Sequence, residues 1–275
     1  MSEKTPVVFI HGLWLAAESW QPWLELFEER GYAPIAPAWP GEGAGVDAAR
    51  RDPEAAAGYG IDEVTAHYAQ IIADLPSKPI VVGHSFGGMI AEKLLGDDLA
   101  LAGVAIDAAQ IKGVLPLPLS SLKSTLPVFK NFANERRSVS LTADQFRYSF
   151  GNALAPEESD ALWDRWSIPS PGKPLFQAAS ANFSLHSPAK VNTGNDERGP
   201  LLLVMGGKDH TVPEAISKAT FKLYKNSNAV TELVEFPDRG HSLTIDHGWR
   251  EVADSVLSWI DTRVVAPRQN AAADV

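Results

Sequence analysis

Short apolar runs alternate with longer amphipathic segments over most of the chain. The apolar runs predict strands at Val7–Ile10, Pro34–Ala38, Ile80–Val82, Gly103–Ile106, Leu201–Met205 and Thr231–Phe236. The longer segments predict helices at Glu18–Arg30, Ile61–Leu75, Phe86–Leu95, Pro213–Tyr224 and Trp249–Arg263. Strands that alternate with helices are typical of a parallel sheet with crossover helices. The pattern therefore predicts an α/β fold with a mostly parallel sheet flanked by helices.

This alternation stops after Ile106 and resumes at Leu201. The intervening segment begins with a stretch rich in Pro and Leu and continues with widely spaced aromatic residues. A structureless connection of about ninety residues is improbable in a compact domain, so we expect a small helical insertion. The predicted organisation is a core domain at 1–108 and 197–263, a helical cap at 109–196 over the carboxyl edge of the sheet, and a disordered tail at 264–275.

Composition and charge count against several classes of partner. The chain has 275 residues, of which 24 are basic and 34 acidic, and its net charge is −10. Because no cluster of Lys and Arg offsets this charge, nucleic acid and anionic membranes are poor partners. No apolar run is long enough to span a membrane, and the start of the chain lacks the apolar segment of a secretory signal, so the expected location is the cytoplasm. The sequence leaves open whether the chain is a monomer or a homodimer.

A serine lies between glycines where a predicted strand meets a predicted helix. The sequence Gly83-His84-Ser85-Phe86-Gly87 matches G-x-S-x-G, the motif called the nucleophile elbow. A sharp strand-to-helix turn lifts the hydroxyl clear of the backbone, and the flanking glycines remove Cβ atoms that would collide there. The helix that follows points its first N–H groups toward the same place, where they can stabilise an oxyanion. We therefore interpret Ser85 as a nucleophile.

A serine nucleophile needs an imidazole as its base and a carboxylate that orients the imidazole. His241 is favoured over the other histidines because it lies between the last predicted strand and the last helix, at the sheet edge where sites of open α/β sheets form. Asp209 is the favoured acid because it follows a buried strand in a Gly-Gly-Lys-Asp turn, in the chain order that the elbow predicts. Asp107, at the end of an earlier strand, is the alternative acid and would otherwise line the floor of the pocket or anchor the cap.

Two backbone N–H groups are expected to face the reacting carbonyl. One belongs to Phe86, directly after the serine, and the other to Leu13 in the loop after the first strand, with Trp14 as the second candidate there. The predicted pocket residues are Trp14, His84 and Asp107. The chain has no cysteine and no phosphate-loop or zinc motif, so no cofactor and no metal are predicted.

Four sequence stretches resemble the α/β-hydrolase superfamily in order and spacing. They are VVFIHGLW, GHSFGGMIA, LLLVMGGKDHTVP and FPDRGHSL, and the resemblance extends from Pro6 to about Ile260. It is nearest to the compact bacterial branch of serine esterases and lysophospholipase-like hydrolases. The resemblance implies the α/β-hydrolase fold with a helical cap insertion. Because the two leading antiparallel strands of the family have no counterpart here, it also implies about six strands.

The resemblance also implies a serine esterase that acts on small to medium apolar esters. Relatives that are dehalogenases or epoxide hydrolases use Asp as the nucleophile, and this chain has Ser85. Relatives that are hydroxynitrile lyases have Thr and Lys where this chain has Gly12 and Ser242. Three alternatives stay open: a hydrolase of C–C bonds, a cofactor-free peroxidase-like or perhydrolase enzyme, and a ligand receptor on a hydrolase scaffold.

Overall fold

The computed structural model describes residues 4–267, and the strands and helices fall largely where the apolar pattern predicts them. The strands are β1 (Pro6–Ile10), β2 (Ala33–Ile35), β3 (Ile80–His84), β4 (Ala102–Ile106), β5 (Ser138–Val139), β6 (Ser170–Pro171), β7 (Leu201–Gly206) and β8 (Thr231–Phe236). The α-helices are α1 (Gln21–Glu29), α2 (Val46–Arg51), α3 (Ile61–Ala73), α4 (Phe86–Gly96), α5 (Leu119–Phe129), α6 (Ala143–Ser149), α7 (Pro156–Trp166), α8 (Lys173–Ala179), α9 (Glu214–Leu223) and α10 (Trp249–Ile260).

Six strands form the main sheet in the order β2-β1-β3-β4-β7-β8, and every neighbouring pair is parallel. The prediction of a mostly parallel sheet of about six strands is confirmed. The chain moves outward from β1 to β2 and then crosses back to β3, so the direction of winding reverses between β1 and β3. Ligands of open α/β sheets bind outside the carboxyl ends of the strands at such a reversal.

Alternation along the strands divides the core into two layers, one on each face of the sheet. In β1, Val8 and Ile10 face a layer that includes α3 and α4, whereas Val7 and Phe9 face a layer that includes α1 and α10. Both faces are thus covered, which is why the central strands read as continuous apolar runs. Within residues 4–267 no helix has the length and apolar character needed to cross a bilayer.

The segment between β4 and β7 contains α5 to α8 and the small antiparallel sheet of β5 and β6. It packs against the loop after β1, where Ala16 N–H donates to the carbonyl of Trp166 and Ile168 N–H donates to the carbonyl of Trp14. The division into a core and a cap domain at 109–196 stays a prediction. At the other end, α10 continues through a π-helical turn at Asp261–Val265, and residues 268–275 of the predicted tail lie outside the described residues.

A buried carboxyl joins α4 to the short 3-10 helical turn after α9. Glu92 is 1% exposed, and its Oε2 accepts a hydrogen bond from the hydroxyl of Tyr224 at 2.6 Å. Burial raises the pKa of Glu92 to about 8, although the Tyr224 hydroxyl and the charge of Arg198 act in the opposite direction. Glu92 is therefore neutral in the folded protein over a pH range where it is charged in the unfolded chain.

We expect this difference to appear in the pH dependence of stability. From pH 4.5 to about 8 the unfolded chain has lost the Glu92 proton and the folded protein keeps it, so the unfolding free energy falls as the pH rises, by at most about 5 kcal/mol. Glu92→Gln removes this contribution. Urea unfolding at pH 5 and pH 8 should show the variant gaining stability relative to wild type at the higher pH. The exposed Glu28→Gln is the control, and a Glu92→Gln profile parallel to wild type would contradict the argument.

Candidate active site

Ser85 forms the turn between β3 and α4, at the carboxyl edge of the sheet. Its φ is 56°, a value that strains a residue with a side chain and persists only where the surrounding structure enforces it. Gly87 allows α4 to begin this close to β1, since a Cβ there would lie 2.1 Å from the carbonyl oxygen of Ile10. The packing of α4 on β1 thus fixes the turn, and Ser85 lies at the reversal point of the sheet with 5% of its surface exposed.

His241 and Asp209 come together from the loops after β8 and β7. His241 Nδ1 lies 2.6 Å from Asp209 Oδ2, and both side chains are buried. Asp209 Oδ1 accepts the N–H groups of Thr211 and Val212 at 2.6 and 2.9 Å. Because the carboxylate is held by the backbone and occupies Nδ1, the imidazole is left with Nε2 as its free nitrogen.

The free nitrogen of His241 lies close to the elbow. The ring centroids of His241 and His84, the residue before the serine, are 4.6 Å apart. Within the described residues, Nε2 of His241 is buried and has no hydrogen-bond partner, so no hydrogen bond joins it to Ser85. Phe150 packs its ring edge against the imidazole at 4.8 Å between centroids. A buried nitrogen without a hydrogen-bond partner costs free energy. Nε2 of His241 is therefore available for a hydrogen bond with a reacting group.

Asp107, the alternative acid, lies beside the same imidazole but holds it less directly. Its Oδ2 is 4.0 Å from Nδ1 of His241, and its Oδ1 accepts the N–H of Gly206 at 2.7 Å. Burial, and then the charge of Asp209, raise the pKa of Asp107 well above its usual range. Burial therefore favours the protonated form of Asp107. Asp107 is fully buried and is not among the residues that line the cavity described below, and its place in the pocket stays a prediction.

His84 and Trp14 also do not line that cavity, because both are tied into the walls behind it. His84 donates from Nε2 to the carbonyl of His241 at 2.9 Å, and burial lowers its pKa well below the usual range, so it is a neutral support for the His241 loop. Trp14 donates its indole N–H to the carbonyl of Val139 and its backbone N–H to Ser170 Oγ at 2.6 Å. Because the backbone N–H of Trp14 already donates to Ser170 Oγ, it is not available to a substrate.

The loop after β1 lies directly against the serine. A Cβ at Gly12 would be 2.6 Å from Ser85 Cβ and 3.3 Å from Ser85 Oγ, so only glycine permits this approach. In the described part of the chain, the backbone N–H groups of Leu13 and Phe86 donate no hydrogen bond. These are the two donors that the sequence predicts for an oxyanion, and both are free to serve as such.

A buried ion pair lies behind the same loop. His11 Nε2 is 3.1 Å from Glu42 Oε2, and His11 Nδ1 is 2.9 Å from the carbonyl oxygen of Gly12. Burial lowers the pKa of His11, but the charge of Glu42 and the hydrogen bonds outweigh it, and the net pKa is raised. In the protonated form, Nδ1 of His11 donates to the Gly12 carbonyl while Nε2 faces Glu42. That carbonyl belongs to the same peptide unit as the N–H of Leu13.

A cavity of about 490 Å³ opens beside Ser85 and Phe86. Its walls come mostly from the segment between β4 and β7 and from the start of α9. None of the lining side chains is charged, and the polar ones besides Ser85 are Gln110, Ser121, Thr125, Asn182 and Thr211. Such a cavity accepts an uncharged ligand that is mostly apolar.

One group of residues has the composition of a metal site. Among the described residues, ligand atoms of His84, Asp107 and His241 lie within 4.8 Å of one another, and all three residues are buried. His241 Nδ1 is already bonded to Asp209, and His84 Nε2 to the backbone, so each imidazole offers only its other nitrogen. The absence of a metal stays a prediction for this chain.

Sequence reasoning missed three residues that shape the site, namely Glu42, Phe150 and Ser170. Each comes from a segment with no motif, and each reaches the site only through the packing of a distant loop or helix. The spaced aromatic residues of the insertion were the one available signal, since they include Phe150.

Comparison with known proteins places the chain in one family. A sequence model of the alpha/beta hydrolase family matches residues 7–255. A non-heme haloperoxidase of Rhodococcus erythropolis is 26% identical over 273 residues, which cover 94% of this chain and 92% of the relative.

Solved structures share the fold over nearly the whole chain. An extracellular alpha/beta-hydrolase from a Paenibacillus species has a TM-score of 0.68 and 20% identity, over 92% of this chain and 98% of that protein. A methylesterase from Arabidopsis has a TM-score of 0.63 and 18% identity, over 94% of this chain and 99% of that one.

Proposed function

Since this chain belongs to the alpha/beta hydrolase family, we propose that it is a serine hydrolase that cleaves uncharged, apolar carboxylic esters. The observation that carries the proposal is a serine in a strained turn at the wall of an uncharged cavity, beside the pair of His241 and Asp209. The methylesterase among the similar structures supports ester cleavage on this fold. The cavity favours small to medium substrates by its volume of about 490 Å³.

In the proposed reaction, Ser85 Oγ attacks the ester carbonyl while His241 Nε2 takes its proton. Asp209 fixes the imidazole and stabilises its charged form. The tetrahedral intermediate collapses, His241 gives the proton to the leaving alcohol, and an acyl-enzyme remains. Water then attacks that acyl group by the same steps and releases the acid. The missing hydrogen bond between Ser85 and His241 is compatible with this role, because catalytic hydrogen bonds of substrate-free sites are often long and tighten with substrate.

The N–H groups of Phe86 and Leu13 are proposed to hold the oxyanion of the tetrahedral intermediate. Protonated His11 would fix the second of these donors, because it binds the carbonyl at the other side of the Gly12–Leu13 peptide. The charge of Glu42 raises the pKa of His11 and so favours its protonated form, and Glu42 thus acts on the donor through two contacts.

Glu42→Gln is expected to lower kcat about tenfold with little change in KM, since a misaligned donor weakens mainly the transition state. The raised pKa of His11 means that its protonated form supports the loop at low pH and loses this role as the pH rises through that pKa. In the variant, this decline in kcat should begin at a lower pH. Steady-state kinetics from pH 5.5 to 9 test it. Glu18→Gln is the matched control, because Glu18 also holds a backbone N–H, that of Val46, in a neighbouring loop. An unchanged pH profile in Glu42→Gln would contradict the assignment.

The proposal also covers the role of the segment between β4 and β7 and the location of the enzyme in the cell. We infer that residues 109–196 act as a cap, supported by their large share of the cavity wall. We also infer that the enzyme works in the cytoplasm. The absence of cysteine is compatible with that compartment, although a similar structure is described as extracellular.

Hydrolysis of p-nitrophenyl esters from C2 to C12 tests the proposed activity. We expect multiple turnovers with a chain-length optimum at intermediate acyl length, set by the uncharged cavity. A wall variant, Ala178→Phe, should shift the optimum to shorter chains, whereas Ala229→Phe, outside the cavity, should leave it in place. Failure to turn over any ester, with Ser85 still labelled by a fluorophosphonate, would overturn the ester assignment.

A second candidate is cofactor-free perhydrolysis, favoured by the likeness to the haloperoxidase. Here hydrogen peroxide replaces water as the attacking group on the acyl-enzyme, and the product is a peracid instead of an acid. The two functions are distinguished by how one acyl-enzyme divides between attack by water, which gives the acid, and attack by hydrogen peroxide, which gives the peracid. A peracid yield far above the share expected from the peroxide concentration would favour this candidate.

A further inference from the structure

The mouth of the cavity is surrounded by exposed apolar side chains. We name this surface the mouth rim, and it consists of Leu115, Leu117, Leu119, Leu122, Phe183 and Leu185. Leu119, Phe183 and Leu185 are 83%, 93% and 86% exposed. Of the nine large hydrophobic residues that are exposed in residues 4–267, eight lie between 115 and 185. Contiguous apolar surface of this kind marks an interaction site.

The mouth rim is one surface because hydrogen bonds hold its two segments together. Asn182 accepts the N–H of Gly113 at 2.7 Å and donates to the carbonyl of Val114 at 2.8 Å. Lys112 Nζ bonds the carbonyl of Ser184 at 2.5 Å. These contacts place the Leu-rich loop before α5 beside the turn that carries Phe183 and Leu185. Four members of the rim also line the cavity, so the surface continues into the site.

The charge around the rim differs from that of the whole chain. Residues 108–134 and 174–195 contain four lysines and no Asp or Glu, in a chain of net charge −10. Lys123 and Lys130 are exposed on α5 and at its end. Asp144 lies across a neighbouring cavity from them, and Arg147 pairs with both Asp144 and Asp160. Lys123 Nζ lies 4.0 Å from the ring centroid of Tyr148. The surface thus combines apolar side chains with a local excess of lysine over acidic residues.

We propose that the mouth rim docks on the surface of an anionic phospholipid bilayer. The Leu and Phe side chains would enter the boundary between headgroups and acyl chains, while the lysines meet the phosphates. The net charge of −10 makes anionic membranes poor partners for the chain as a whole, and this proposal departs from that expectation. At physiological salt only charges within about 8 Å of the bilayer interact strongly with it, so the local charge of the rim decides. An apolar ester dissolved in the bilayer then reaches Ser85 without crossing water. The docking itself does not depend on which bond the enzyme cleaves.

Sedimentation with sucrose-loaded vesicles tests the proposal. The vesicles contain phosphatidylcholine alone or with 30% phosphatidylglycerol, at 0.1 M NaCl. The wild type should bind the anionic vesicles at least about tenfold more tightly than the neutral ones. The double variant Leu119→Glu/Leu185→Glu should lose about tenfold or more of that affinity, while its activity on a soluble ester stays at the wild-type level because neither residue lines the cavity. Val230→Glu is the matched control, since Val230 is exposed but lies before β8, outside the rim.

The outcomes separate docking from its alternatives. Lys123→Glu/Lys130→Glu should weaken binding to anionic vesicles and leave the neutral ones unaffected. No binding by the wild type, or equal loss in Val230→Glu, would overturn the proposal. A different result would assign the rim to a second copy of the chain. The wild type would then not bind vesicles but would form a concentration-dependent dimer in sedimentation velocity, and Leu119→Glu/Leu185→Glu would abolish that dimer.

Discussion

Ser85→Ala is expected to reduce kcat on a C4 p-nitrophenyl ester by about 10³-fold or more. The physical reason is that no other nucleophilic group stands in the turn between β3 and α4, and the cavity and oxyanion donors alone supply only the residual rate. The variant should fold normally, because the Ser85 side chain makes no hydrogen bond among the described residues and its replacement by Ala removes one atom. The measurement is steady-state kinetics, with a fluorophosphonate label as a count of active sites.

Ser121→Ala provides the matched control for this prediction. Ser121 lines the same cavity, so the substitution makes the same chemical change in the same pocket, away from the elbow. We expect it to retain kcat within about threefold and to remain labelled at Ser85. Near wild-type turnover by Ser85→Ala would remove the serine from the mechanism. Equal losses in both variants would show that the pocket, and not the hydroxyl, sets the rate.

Asp209→Asn should lower kcat by about 10³-fold to 10⁴-fold, while Asp107→Asn should cost less than about tenfold. Asp209 contacts Nδ1 of His241 at 2.6 Å, and an amide there can present its NH₂ group and favour the wrong tautomer. Asp107 is 4.0 Å from the same nitrogen, and burial raises its pKa well above the usual range, which favours its protonated form. Asn keeps the oxygen that accepts the Gly206 N–H, so the second variant closely resembles the acid that it replaces.

This pair of variants decides between the two acids that the sequence leaves open. Both substitutions place an amide within the same buried group, so their effects on folding are comparable and thermal unfolding checks this. A larger loss in Asp107→Asn than in Asp209→Asn would reverse the assignment. Equal losses would mean that the two carboxyls act as one unit that shares a proton.

The sheet could be predicted because its four inner strands, β1, β3, β4 and β7, are buried on both faces, while the edge strand β8 is only partly buried. β1, β3, β4, β7 and β8 fall within one or two residues of the apolar runs. β2 is the exception, since it ends at Ile35 and pairs only three residues with β1 at the edge of the sheet. Pro37 follows and cannot donate to a ladder. α2 was missed because Ala49 is its only buried residue, so the segment shows no amphipathic period.

The site was predictable where a local motif requires it, and less so elsewhere. The elbow and the turn after β7 carry their signals within a few residues, and the structure brings Asp209 against His241. Which side chains face the cavity depends on how distant segments pack. Asp107, His84 and Trp14 end or follow central strands, as pocket residues do, yet each turns into the protein and bonds to a neighbouring strand or loop. The roles of Glu42 and Phe150 rest on contacts with no pattern along the chain.

Backbone hydrogen bonds join the loop after β1 to the end of α7, and they affect what an exchange of the insertion would change in this chain. That loop carries Leu13, and its next residue, Trp14, is anchored to the insertion through Ser170 and Ile168. Exchanging the insertion for that of a relative would replace the pocket and, at the same time, the groups that hold the loop at Ser85. Under the proposed function, we therefore expect substrate range and turnover to be inherited together. We expect a grafted insertion to need a hydroxyl equivalent to that of Ser170 before it confers a new activity.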